Sequence, residues 1–319
     1  MNVLVAFLLG RIGSAAVTLL GVTVVIFTAI HLIPGSFEEI LVPHGSPEFR
    51  KEVAERLGLD QPLMHQYFYW VGNLVKGDFG ASLITSQPVW TEFASRIPVT
   101  LELATLAALT AILLGVPLGF ASGLAGTSRL TANVSRLFSG FSMSVPDFVL
   151  GSLFLYIFSK YTLGLTVGTW VAFGQNPEAH IRAIVLPVLT LSLIGIGTVA
   201  AVTRQAVLAL AEEDFVFTAM TRGRTTGQIV RRHMLRNAGV PVVTVVGVYL
   251  GYLLGGSILV EQLYSIPGVG RYIFQAVQGR DYPVVQAGVL IIAASFVLIN
   301  MATDIAYGIL DPRIRAQSS

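Results

Sequence analysis

The interval richest in ionisable side chains runs from Arg204 to Asn237, RQAVLALAEEDFVFTAMTRGRTTGQIVRRHMLRN, and separates two apolar runs. Within it Glu212, Glu213 and Asp214 precede Phe215, Val216, Thr218, Ala219 and Met220 at helical spacing, and Arg222 with Gly223 follows. Carboxylates at a helix N-terminus and Arg-Gly at its end complement the helix dipole and close the last turn, so the spacing predicts a short capped helix. A second helical piece is expected over 226–237, where Ile229, Val230, His233 and Met234 recur at three- and four-residue steps. Two short helices joined by a polar turn make an exposed hairpin. It is either a loop that keeps six arginines on one side of a bilayer or a surface on which a partner docks.

A second candidate is Asp147, which follows Pro146 inside an otherwise apolar interval. Counted from Leu137 at about 1.5 Å per residue, it falls roughly 15 Å into a bilayer, near the midplane. It either caps a new helical piece after the proline or lines an aqueous path and meets a substrate ammonium. Other chemistry is missing. The lysines are Lys51, Lys76 and Lys160, none preceded by glycine, so no phosphate-cradling Gly-Lys-Ser/Thr loop exists. There is no His-Glu-x-x-His zinc pattern and no Gly-x-Ser-x-Gly elbow. His31, His44, His65, His180 and His233 lack metal-ligand spacing. The absence of cysteine removes disulfides, thiolate metal sites and cysteine nucleophiles. The chain therefore reads as no enzyme in itself and as binding no metal.

The elements that must position these residues are membrane helices. Hydrophobic residues make up 54% of the 319 and charged residues 12%, with a mean hydropathy of +0.73, against about 25% charged in soluble domains. A net charge of +2 gives no support to nucleic-acid binding. Six intervals almost free of charge, 12–37, 103–128, 137–159 with Asp147 inside it, 183–203, 237–260 and 282–303, are long enough to cross a core that needs about 20 residues. The expectation is an all-α membrane protein with six transmembrane helices and both termini on one side. Arg11, Arg129, Arg136, the six loop arginines, Arg313 and Arg315 then share the cytoplasmic face. The first apolar run is about twice the length of a signal-peptide core and reads as a retained span.

Between spans one and two lies a long extracytoplasmic segment, with an amphipathic helix expected over 47–58 and a belt of aromatics at Tyr67, Phe68, Tyr69, Trp70 and Trp90. The chain thus divides into residues 1–98, the first helix plus this segment, and 99–319, a five-helix core with its loop at 204–238. Two glycine stripes at four-residue spacing, Gly115, Gly119 and Gly123, then Gly247, Gly251 and Gly255, offer smooth faces for close helix packing.

The residues Glu213-Asp214-Phe215, Thr218-Ala219 and Gly223, followed by His233-x-Leu235-Arg236-Asn237-Ala238 and Pro241-Val242-Val243-Thr244, resemble the EAA loop of permease subunits of bacterial binding-protein-dependent ABC importers. The match is nearest to the dipeptide and oligopeptide branch. It differs at Phe217, where arginine is common, and at Arg224, where an apolar residue is common. The resemblance extends through Leu57-Gly58-Leu59-Asp60-x-Pro62, Gly77-Asp78-Phe79-Gly80-x-Ser82 and Thr100-Leu101-Glu102-Leu103. The turn-rich segment Tyr264-Ser265-Ile266-Pro267-Gly268-Val269-Gly270-Arg271 is similar to the family's outer scoop region, which faces the binding protein.

The resemblance implies a type I ABC importer permease fold in the bacterial inner membrane. It makes Glu212 to Gly223 the coupling helix that enters a groove on an ATPase partner. It further implies a second homologous permease, two ATPase subunits or domains holding ATP and Mg, and an extracytoplasmic binding protein. The implied solutes are peptides, with nickel, glutathione or another small solute as the alternative. A secondary transporter or channel would need more intramembrane ionisable groups than Asp147, and a scaffold or insertase would show no solute flux.

Overall fold

The computed structural model describes residues 3–32, 46, 48, 60–124, 128–161 and 164–310. Apart from Glu48, the amphipathic helix expected over 47–58 lies outside them, as does the basic tail over 311–315. Among the described residues the backbone is helical, with one isolated β-bridge between Ala81 and Pro88.

Five helices are long and apolar enough to cross a membrane: α1 (Val3–His31), α3 (Val89–Gly123), α6 (Pro177–Ala211), α9 (Leu235–Leu263) and α11 (Tyr282–Leu310). The third span expected over 137–159 is not one straight helix. Its residues belong to α4 (Arg129–Ser144) and α5 (Asp147–Tyr161), which are bent by 97° at the break between them. Pro146 explains the break, because its ring pushes the preceding residue out of the helical region. Val145 is extended, with φ −96° and ψ 121°. Among the described residues the count is five spans, or six with the bent pair taken as one, and the straight-helix depth of Asp147 does not apply.

At 35 residues each, α3 and α6 are about 52 Å long and overrun a hydrocarbon core of about 30 Å. Helix α3 also runs through the expected division at residue 98. The two pack along their length through the first glycine stripe. A Cβ at Gly115 would stand 2.9 Å from the Ile196 carbonyl oxygen, one at Gly119 2.5 Å from Thr203 Cβ and 2.7 Å from the Ala200 carbonyl oxygen, and one at Gly123 3.0 Å from Val207 Cβ. Only hydrogen fits there, and backbones that close gain dispersion contacts where lipid offers no hydrophobic drive. Helix α4 joins the same frame with polar residues inward. Ser135, Ser139 and Ser142 are buried while Leu130, Val134, Leu137 and Phe141 face outward, the pattern expected when the solvent on one side is lipid.

Helix α1 lies at the edge, tied to α11 by Arg11 and Asp304 at 3.0 Å. The short helix α2 (Leu63–Val75) is seated on it. Tyr67 and Trp70 pack on Phe27, with ring centroids 5.3 and 5.9 Å away, and the Thr23 and Tyr67 hydroxyls lie 2.8 Å apart. Part of the expected aromatic belt is therefore a packing cluster.

The frame predicts an unequal response to small additions. Gly119→Val forces a branched side chain against the α6 backbone and costs at least about 1–3 kcal/mol, whereas Gly255→Ala meets no described atom within 4 Å. Thermal unfolding in detergent should show a lowered midpoint for the first and an unchanged one for the second. Equal midpoints would contradict the packing.

Candidate coupling loop and buried carboxylates

The exposed hairpin begins as expected and continues differently. Helix α7 (Asp214–Thr221) follows Glu213, which stands at the N-cap position without a side-chain cap bond. Its end closes on Gly223, whose φ of +73° is the left-handed conformation that favours glycine. The Gly223 N–H donates to the Met220 carbonyl at 2.9 Å and the Arg224 N–H to that of Ala219 at 3.2 Å, the paired bonds of a Schellman end. Thr225 and Gln228 then form a capping box at the start of α8 (Thr226–Ile229). The second piece does not stop at Asn237. It passes through a π turn, Val230–Met234, directly into α9, so the loop proper is the stretch from Glu212 to Thr225.

Helix α7 has two apolar faces. Val216 and Ala219 are buried against Phe120, Val207, Ile229, Met234 and Ala238, which fixes α7 to the ends of α3, α6 and α9. Phe215 is half-buried, and Phe217 and Met220 point outward, Phe217 at 71% exposure. Around them Glu212, Glu213, Asp214, Thr218, Arg222, Gly223, Arg224, Arg231, Arg232 and Arg236 are also exposed. A phenylalanine is thus held outward by a helix anchored on its other face.

At the opposite end the sequence reading missed the central residue, Glu261. Its exposure is 0%. Thr100 Oγ donates to Oε1 at 2.7 Å, Ser257 Oγ donates to the same oxygen at 3.3 Å, and the Arg271 N–H donates to Oε2 at 2.9 Å. Thr100 also accepts from the Val269 N–H at 2.8 Å. The carboxylate thus closes the N-terminus of α10 (Val269–Gln278), where its negative charge complements the positive end of the helix dipole. Gly268 and Gly270 are required beside it, since a Cβ at Gly268 would strike the carboxylate and one at Gly270 would lie 2.7 Å from Ile258 Cα. The Arg271 guanidinium turns away to the Ser265 carbonyl at 2.6 Å.

Two further polar contacts fasten this end. Ser82 donates to Asp281 Oδ2 at 2.5 Å and the Leu83 N–H to Oδ1 at 3.1 Å, holding the segment before α3 against the start of α11. His180 Nε2 lies 3.0 Å from Glu102 Oε1 and Nδ1 lies 2.8 Å from the Val171 carbonyl oxygen, which pins the segment before α6 to α3. Arg96 sits 4.5 Å over the Tyr272 ring. Burial, then the charges of Glu92 and Asp281, push the Tyr272 phenol up.

Asp147 is buried at the first position of α5, near none of the loop residues. Of the second stripe, a Cβ at Gly247 would strike Thr303 and one at Gly251 would meet the Phe296 ring at 2.5 Å, both on α11, while no described atom lies within 4 Å of one at Gly255. Among the described residues no group of three His, Asp or Glu could hold a metal ion.

Removing the Glu261 carboxylate orphans buried donors at about 1–3 kcal/mol each. Glu261→Leu should lower the unfolding midpoint and speed proteolysis between Tyr264 and Asp281, with Glu261→Gln intermediate. Wild-type values in Glu261→Leu would contradict the account.

Two family models match: "Binding-protein-dependent transport system inner membrane component" over residues 111–316, and its N-terminal counterpart over residues 4–104. The chain is 36% identical to the di/tripeptide transport system permease protein DppB of Pseudomonas aeruginosa, covering 98% of this chain and 100% of that one. It is 35% identical to the glutathione transport system permease protein GsiC of Escherichia coli, covering 99% of each. An inward-facing structure of the MetNI methionine ABC transporter superposes with a TM-score of 0.57 at 17% identity, over 71% of this chain and 100% of that one, a likeness of fold.

Proposed function

Because the chain belongs to the family of binding-protein-dependent transport system inner membrane components, we propose that it forms half of the pathway by which an ATP-driven importer takes up peptides. It is a multi-pass inner membrane permease. The observation that carries the substrate reading is full-length similarity to a di/tripeptide permease. The glutathione permease, matched as fully, marks a second reading in which the solute is another small peptide-like molecule.

In this reading the bent pair counts as one span, giving six, and both termini and α7 face the cytoplasm. Helix α7 enters a groove on an ATPase partner with Phe217 and Met220 as its apolar contacts, and ATP and Mg act on that partner. A second homologous permease completes the pathway, and an extracytoplasmic binding protein delivers solute near α10. The buried seat of α7 on α3, α6 and α9 supports force being carried into the frame, not absorbed by a loose loop. Helix α10 rests on the same α3 through Val89 and Phe93. The frame therefore moves as one body between outward- and inward-open states.

Orientation is tested with single cysteines in this cysteine-free chain. In intact spheroplasts an impermeant maleimide should label Gln87→Cys and spare Thr225→Cys, both positions being exposed in the fold. Labelling of Thr225→Cys would overturn the orientation.

Coupling is tested at Gly223, where φ is +73° and a β-branched residue is strained. Gly223→Val should cut ATP-driven peptide uptake at least about ten-fold, the equivalent of roughly 1–2 kcal/mol of lost docking, with normal membrane insertion. Wild-type uptake would remove α7 from the coupling path.

A further inference from the structure

The two buried carboxylates of the membrane helices are satisfied very differently. Glu261 is enclosed, with donors from Thr100, Ser257 and Arg271 on its two oxygens. Asp147 is 5% exposed and receives two bonds. The Phe148 N–H donates to Oδ1 at 2.8 Å, and the Tyr252 hydroxyl donates to Oδ2 at 2.9 Å. An ionised carboxylate offers about four acceptor positions, so roughly half of its capacity is open. Among the described residues no Lys, Arg or His forms an ion pair with it. A charge withdrawn from water by burial demands a cation or a polar path.

Capping α5 accounts for one oxygen and leaves the arrangement around the other unexplained. Tyr252 is carried by α9 and is 41% exposed, so the Asp147 carboxylate lies at the hydroxyl end of an accessible aromatic ring. That ring stacks on Tyr249, with centroids 6.3 Å apart and planes 17° apart, and Tyr249 is anchored by its hydroxyl to the Leu191 carbonyl at 2.8 Å. A carboxylate with spare lone pairs beside a fixed aromatic face is the donor set that recognises a primary ammonium, by a charge-assisted hydrogen bond and a cation–π contact. The helix break at Val145 and Pro146 brings this site to the junction of α5 and α9.

We propose that Asp147 and Tyr252 form a transient binding site for the ammonium group of the solute in transit. This rests on the importer reading and adds a chemical class to it: solutes bearing a free amine. The ammonium comes either from a peptide's N-terminus or from a lysine side chain within it.

The test uses the assembled complex in two ways. In proteoliposomes, Asp147→Asn keeps an amide oxygen that accepts from the Phe148 N–H and removes the charge. Uptake of a free-amine, lysine-free tripeptide should fall about ten-fold, as when a charge-assisted bond becomes a neutral one. Uptake of its N-acetylated form should change less than about two-fold. An N-acetylated peptide with an internal lysine tells the sources apart: sensitivity shows that any ammonium is read, insensitivity that the terminus is. Equal losses for all three peptides, or none, would overturn the proposal.

The second measurement needs no variant, no ATP and no uptake. Wild-type complex in nanodiscs is treated with dicyclohexylcarbodiimide, and modification of Asp147 is followed by mass spectrometry. Free-amine tripeptide should slow modification about ten-fold, in line with one charge-assisted bond, and the acetylated, lysine-free form should not. No modification, or modification that peptide does not slow, would overturn the site. Failure of ATP-driven uptake in the wild type would instead contradict the importer reading and leave the labelling result to stand for itself.

Discussion

A carboxylate with no exposed surface, Glu261, fixes the end of the molecule opposite α7. It accepts hydrogen bonds from α3 through Thr100, from its own helix α9 through Ser257, and from the N-terminus of α10 through Arg271. Three elements meet on one charge, α3 from 161 positions away in the chain, and the Thr100 and Ser257 donors are buried with it. That is the condition under which a buried anion is tolerated: every lone pair that leaves water finds another partner. The small residues around it follow from the same demand, because Gly268 and Gly270 leave the volume the carboxylate fills.

The middle of the molecule obeys a different rule. Lipid rewards no apolar contact between helices, so α3 and α6 associate by approach of their backbones across glycines and by shape. The same frame carries a docked helix at each end, α7 on Phe120 and Val207 and α10 on Val89 and Phe93. A 35-residue helix thus holds a packed satellite at each of its two ends. Asp147 stands apart from both ends, at a break in the helices beside an accessible tyrosine.

Much of this was legible in the sequence, for identifiable reasons. Lipid imposes length and apolarity on any span, so the intervals around α1, α3, α6, α9 and α11 stand out from composition alone. Gly223 was legible because few residues but glycine take positive φ at a helix end, and its φ is +73°. Pro146 announced a break, but not its 97° angle, which packing against α6 and α9 decides. Glu261 lies one residue beyond an apolar interval and finds Thr100 across 161 positions. Ser82 and Asp281 are 199 apart. Long-range polar pairs of this kind carry no periodic signal. Gly255 shares the spacing of Gly247 and Gly251, yet no described atom lies within 4 Å of where its Cβ would stand, because spacing defines a face and not its neighbour.

In the proposed function α7 and α10 are two ends of one rigid frame. Spin labels on Thr221→Cys and Gln275→Cys, both exposed, report the distance between them by pulsed electron resonance in the assembled complex. With and without ATP, the account predicts a single distance that does not change, while labels placed across the two permeases separate. A shift within the chain as large as one helical turn, about 5.4 Å, would contradict it.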